Sequence, residues 1–280
     1  MRCRHVAITD MPLCRALTIF CLAALTGAAA SAAESPLTKE QLKDVVRLDT
    51  LTIPTPGEFF VALDKNGQPN WTQMFQPLVT GATASREQMS LLLGVLVADG
   101  YIAVEAQDSQ GVKNVGKDII NLAKKLNLSQ SILGRGNSIN DFAENNDWSA
   151  LREELEATQN EVKTAMAEQK DQDFVTLVTL GAWVRGMDVA SRYISKNYTP
   201  ELAELLRQPA IAKFLLSELG NLPERMRTGT FGTRLDADLR SILTAIDTNP
   251  LEPVSQAAVD SVAATSSALV AMIAEEKKKP

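Results

Sequence analysis

Histidine and cysteine are almost missing from this 280-residue chain: one histidine and three cysteines, all within the first 21 positions, as Cys3, His5, Cys14 and Cys21. Those positions read as a secretory leader. Arg2, Arg4, His5 and Arg15 supply positive charge, residues 16–25 are an apolar run, and 27–33 are nearly all small side chains. We expect residues 1–33 to be cleaved after Ala33. The remaining chain would carry neither thiol nor imidazole. That excludes Ser-His-Asp and Cys-His catalysis, disulfide staples, and the usual zinc, copper and haem ligand sets. We therefore expect no catalytic residue, no metal and no cofactor.

Long apolar runs are also missing. A membrane anchor needs ~20 consecutive apolar residues. The run at 16–25 is shorter, and the run at 89–104 is interrupted by Asp99. We expect no stable membrane insertion once the leader is gone. Basic charge is in deficit, with 28 Lys+Arg against 34 Asp+Glu, a net charge of −6. An acidic chain whose basic run is the tail Lys277-Lys278-Lys279 is poorly suited to nucleic acid or anionic lipid. Aromatic residues amount to only 5%. The core must therefore be built from aliphatic side chains, without disulfides.

What is present reads as helix from end to end. Thr38 with Gln41, Thr55-Pro56-Gly57-Glu58, Ser85 with Gln88, and Thr233 with Asp236 are helix starts. Val112, Val115, Ile119, Leu122 and Leu126 form one three-and-four stripe; Leu151, Leu155, Thr158, Val162 and Met166 form another, with Glu153, Glu154, Glu156, Glu161 and Lys163 elsewhere on that cylinder. Leu235, Leu239, Ile242, Leu243 and Ile246 form a third. Asn66-Gly67, residues 77–84, Gly134 with Gly136, and Pro250 with Pro253 read as breaks, and 51–53 leaves room for a short ribbon. The pattern predicts an all-α layered bundle of about nine to eleven helices. Two central, largely buried helices should span about 86–105 and 172–195, within one domain over 34–275 followed by a charged tail, 276–280.

The buried helices carry charges. Asp99 lies in the first; Arg185, Asp188 and Arg192 lie in the second, three and four residues apart on one face. Buried charges require partners or a cleft, so Asp99 should meet Arg185 or Arg192 across the contact, either as a structural ion-pair network or as a ligand site. Glycines 94, 100, 181 and 186 should let the helices approach closely.

Other constellations have a local explanation beside the functional one. Residues 111–118, Gly-Val-Lys-Asn-Val-Gly-Lys-Asp, approach a phosphate-binding loop, but Asp118 replaces the magnesium-binding hydroxyl and the valines belong to a helical stripe. Residues 137–147 are rich in oxygen ligands yet lack calcium-loop spacing. Glu153 with Glu156, or Asp171 with Asp173, are acid pairs that would need a cleft to cleave glycans. Trp71 and Trp148 beside turns suit sugar stacking or packing. Leu37-Thr38-Lys39-Glu40-Gln41 resembles the LTxxQ signature of small periplasmic helical chaperones, over five residues with no second copy. That resemblance implies an all-α protein binding unfolded chains on a concave surface.

The expectation is a secreted, periplasmic protein of a Gram-negative bacterium that binds or scaffolds rather than catalyses. Its partner would be an envelope protein, a peptide or a small ligand. The alternatives are a carboxylate-dependent hydrolase of envelope glycans and a periplasmic helical chaperone.

Overall fold

The computed structural model describes residues 54–75, 85–128 and 130–274. These belong to one compact unit, Leu51–Pro280. The leader 1–33, the LTxxQ-like segment, residues 51–53, the loop at 77–84 and the tail lie outside the described residues.

Local chemistry sets most helix starts. α1 (Pro56–Gly67) opens with a complete capping box: Glu58 N–H donates to Thr55 Oγ1 at 3.2 Å, and Thr55 N–H donates to Glu58 Oε2 at 2.7 Å. Asn66-Gly67 does not break this helix as expected. Asn66 Nδ2 donates to the Ala62 carbonyl, and the left-handed turn falls one residue later, at Gln68, with φ of 48°. α2 (Trp71–Met74) is a single turn capped by Asn70. α3 (Arg86–Glu105) is capped by Ser85, α4 (Ser109–Lys125) by Asp108 and α6 (Trp148–Glu168) by Asp147; α5 (Gln130–Glu144) lies between the latter two. α7 (Gln172–Lys196) leads through the single turn α8 (Pro200–Ala203) and a 3₁₀ turn to α9 (Pro209–Asn221). α10 (Glu224–Arg227), α11 (Thr230–Ile246) and α12 (Gln256–Ala274) complete the described chain. Among the described residues there is no strand, and nine helices exceed two turns.

Two expected boundaries moved, each because packing outweighed local propensity. Gly134 and Gly136 lie inside α5 rather than ending it. Ile132, Ile139 and Ala143 are buried on one side of that helix, and Arg135 reaches Glu154 at 3.0 Å and also pairs with Glu161 on α6. These contacts exceed the ~1 kcal/mol that each helical glycine costs. Residues 134–147 are thus a helix and a short turn. α11 starts at Thr230, three residues before the expected cap. Asp236 pairs with Arg240 at 2.7 Å instead of capping, and Gly232 is needed because a Cβ there would collide with the Met226 carbonyl oxygen.

The layers follow from which faces are apolar. α3 and α7 form the central pair and pack most extensively on each other. α4 lies on α3, α5 on α4, and α6 spans α5, α3 and α7. On the other side, α12 covers α7, α11 covers α12 and α9 covers α11. α1 rests on both central helices. α3 and α12 have the length and apolarity of a membrane span. α3, however, is buried almost throughout, so those properties serve the core.

Candidate functional site

Gly94 on α3 and Gly181 on α7 set the central crossing. A Cβ on Gly94 would fall onto the Val178 carbonyl oxygen, and one on Gly181 onto that of Leu91, far inside van der Waals contact. The other two expected glycines serve different neighbours. A Cβ on Gly100 would lie 3.1 Å from Leu155 of α6, and one on Gly186 3.2 Å from Phe59 of α1.

This close approach brings the four sequence-identified charges together. Asp99, Arg185 and Asp188 are 0%, 2% and 2% exposed. Arg185 Nε donates to Asp99 Oδ1 at 2.7 Å, and its Nη1 donates to Asp188 Oδ2 at 2.6 Å. Arg192 closes the chain: its Nε lies 2.9 Å from Asp188 Oδ1, and its Nη2 donates to Oδ2 at 3.0 Å. Ser267 on α12 donates a further bond to Asp188 Oδ1. Two carboxylates and two guanidinium groups alternate, so the cluster is neutral as a whole, which makes burial tolerable. Burial dominates at Asp99, whose Oδ2 has no hydrogen-bond partner among the described residues; it raises the carboxyl pKa despite the opposing pull of Arg185. Burial also works against the Arg185 cation, but Asp99 and Asp188 together outweigh it and hold its pKa above the arginine norm.

Only Arg192 of the four reaches the surface, with its side chain 35% exposed. Its Nε/Nη2 edge is occupied by Asp188. Arg192 also lines a cleft of about 370 Å³ between α7 and the α1–α2 turn. Lys196, Tyr193 and Asn197 line one wall; Gln68, Asn70 and Gln73 line the other. Tyr193 is fixed by donating its hydroxyl to the Gly67 carbonyl, and Asn197 Nδ2 donates to the Tyr193 carbonyl at 3.0 Å. Among the described residues, the lining holds two cations, several amides and no carboxylate. That is a setting for an anion with several acceptors.

The remaining sequence candidates are structural here. Residues 111–118 are continuous helix, with Gly111 and Gly116 packed against Phe75 and Ile139 rather than forming a phosphate-cradling loop. The oxygen-rich residues 137–147 run along α5 and into the cap of α6, and no group of potential metal ligands is found among the described residues. Glu153 and Glu156 are both exposed, and Asp171 pairs with Arg86 at 2.6 Å. Trp71 is buried edge-on to Phe60 and donates to Asp64 at 2.8 Å. Trp148 is half-buried against the core.

Two residues went unnoticed in the sequence as a possible site. Gln159 on α6 is 4% exposed, and its Oε1 has no hydrogen-bond donor among the described residues. Lys163, one turn further, was expected on an outer face, yet burial lowers its pKa. Gln159 lies four residues after Leu155 and three before Val162. Its inward position was therefore legible from the stripe, while its missing partner was not.

Comparison with protein-family models, with curated proteins and with solved structures finds no match.

Proposed function

We propose that this is a periplasmic binding protein, secreted after loss of the leader, which takes a small organic carboxylate in the cleft over Arg192. The supporting observation is the half-committed Arg192 guanidinium. Asp188 fixes its position, and the same residue lines a cleft whose other cation is Lys196. A guanidinium anchored in this way has lost its rotamer freedom beforehand and presents planar donors to a carboxylate. About 370 Å³ suits a small molecule rather than a polymer. Gln68, Asn70, Gln73 and Asn197 would read its remaining polar groups. Asp99, Arg185 and Asp188 would then be the scaffold that positions Arg192, not groups that touch the ligand.

Calorimetric titration of the full chain with a panel of mono-, di- and tricarboxylates, citrate among them, tests this reading. At least one should bind, and Arg192→Gln should weaken it by more than about tenfold, the loss of a charged hydrogen-bonded contact. The fold should survive that change, because Asp188 keeps Arg185 and Ser267. A panel without a binder, or an unchanged affinity in Arg192→Gln, would overturn the proposal.

A further inference from the structure

Arg192 and Lys196 are four residues apart on α7, and both line the cleft described above. That spacing puts them on one face, a helical turn from each other. Asp188 draws the Arg192 guanidinium back toward the start of α7, with Nε at 2.9 Å and Nη2 at 3.0 Å from its carboxylate oxygens. Lys196 ends the helix, is exposed, and forms no ion pair with any described residue. Asp260 on α12 does not line the cleft; its carboxylate accepts from Ser195 Oγ at 2.6 Å and from Gln256 Nε2 at 2.9 Å. The two positive charges are therefore spaced on the order of one turn, ~5.4 Å along the axis, rather than converging on one point.

The rest of the lining adds two constraints. Met74 and Val189 contribute apolar surface. Asn70 Oδ1 is already committed, accepting the Gln73 N–H at 3.1 Å, so the group that Asn70 has left to offer is its Nδ2 donor. Inorganic phosphate concentrates its charge and brings nothing apolar to Met74 and Val189. A monocarboxylate matches one cation and leaves the other without a partner. A short aliphatic dicarboxylate carries two anions held apart by methylenes. On the premise that this cleft is the carboxylate site, we propose that its ligand is a dicarboxylate of the length of succinate or glutarate. One carboxylate pairs with Arg192 and the other with Lys196, and the methylenes lie toward Met74 and Val189. Lys196 is then the residue that selects two acid groups over one.

The test is calorimetric titration of the full chain with succinate, glutarate, the monoamide of each, citrate and inorganic phosphate. One or both diacids should bind at least about tenfold more tightly than the matching monoamide, which keeps the length and loses one charge. Lys196→Gln should erase that difference by weakening the diacid, and Lys196→Arg should keep it. Neither change should shift Tm, because the side chain is exposed. Citrate or phosphate binding more tightly than both diacids, equal binding of diacid and monoamide, or a difference that survives Lys196→Gln would each overturn the dicarboxylate assignment. Citrate or monoamide binding that Arg192→Gln still weakens would in those cases leave the carboxylate site standing, whereas a panel without a binder would overturn both.

Discussion

The two sides of α7 differ in how buried charge is matched, although each holds one buried acceptor oxygen, Asp99 Oδ2 or Gln159 Oε1, without a hydrogen-bond partner among the described residues. On the face toward α3, Arg185 and Asp188 are almost fully enclosed, yet every charge has a counter-charge within hydrogen-bonding distance. On the face toward α1 and α6, fewer polar groups are buried, but Gln159 Oε1 has no partner and Lys163 no counter-ion among the described residues. Burial alone therefore does not mark a site in this protein. The matched charges hold the central helices in register and fix Arg192; Lys163 has no such match among the described residues.

The sharpest way to break this contrast is to remove a matched charge. Arg185→Gln should destabilise the protein by about 3–5 kcal/mol in urea or thermal unfolding, since it leaves two carboxylates short of a cation. Asp99→Asn should cost less, and the double variant less than the sum of the two. Fully additive losses would mean that the pair is not coupled and would undo the distinction between the two faces.

A smaller effect separates tight packing from mere glycine content. Gly181→Ala forces a Cβ into the α3 backbone and should cost about 1–3 kcal/mol, the usual range for overpacking. Gly134→Ala meets nothing within 4 Å on an exposed stretch of α5 and should instead stabilise by about 0.5–1 kcal/mol. Equal effects at the two positions would show that α3 and α7 are not locked together as described.

The smallest expected effect is in the pH dependence. Because burial lowers the pKa of Lys163 in the folded protein, the unfolded chain keeps that proton to higher pH. Stability linked to this group should thus rise with pH between the lowered value and the ordinary lysine value, and be flat below both. Lys163→Gln should lack this alkaline rise. An identical slope in wild type and variant would place the amine in solvent and remove the asymmetry from the comparison.

Much of this architecture could be read from residue order. The bounds of α3 and the start of α7 follow from where apolar residues occupy nearly every face, and Thr55 and Ser85 cap as their spacing requires. That Asp99 would meet Arg185 or Arg192 followed from the cost of leaving a charge unpaired inside two apolar helices; the structure selects Arg185. Other features depend on neighbours remote in sequence. Gly100 and Gly186 face α6 and α1 rather than the central crossing. Gly134 and Gly136 stay helical because α4 and α6 hold α5 in place. Lys163 reads as a surface residue until α7 and α9 close beside it.

By itself, the sequence determined the helical class, the central pair and the need for its charges to find one another, because periodicity, capping and desolvation act within a few residues or as a general penalty. Tertiary structure alone decided which helix meets which glycine, that only Arg192 of the four charges opens on a cleft, and that Gln159 is left without a donor. Those outcomes depend on groups brought together from distant parts of the chain, and no local pattern encodes the identity of the atom on the other side.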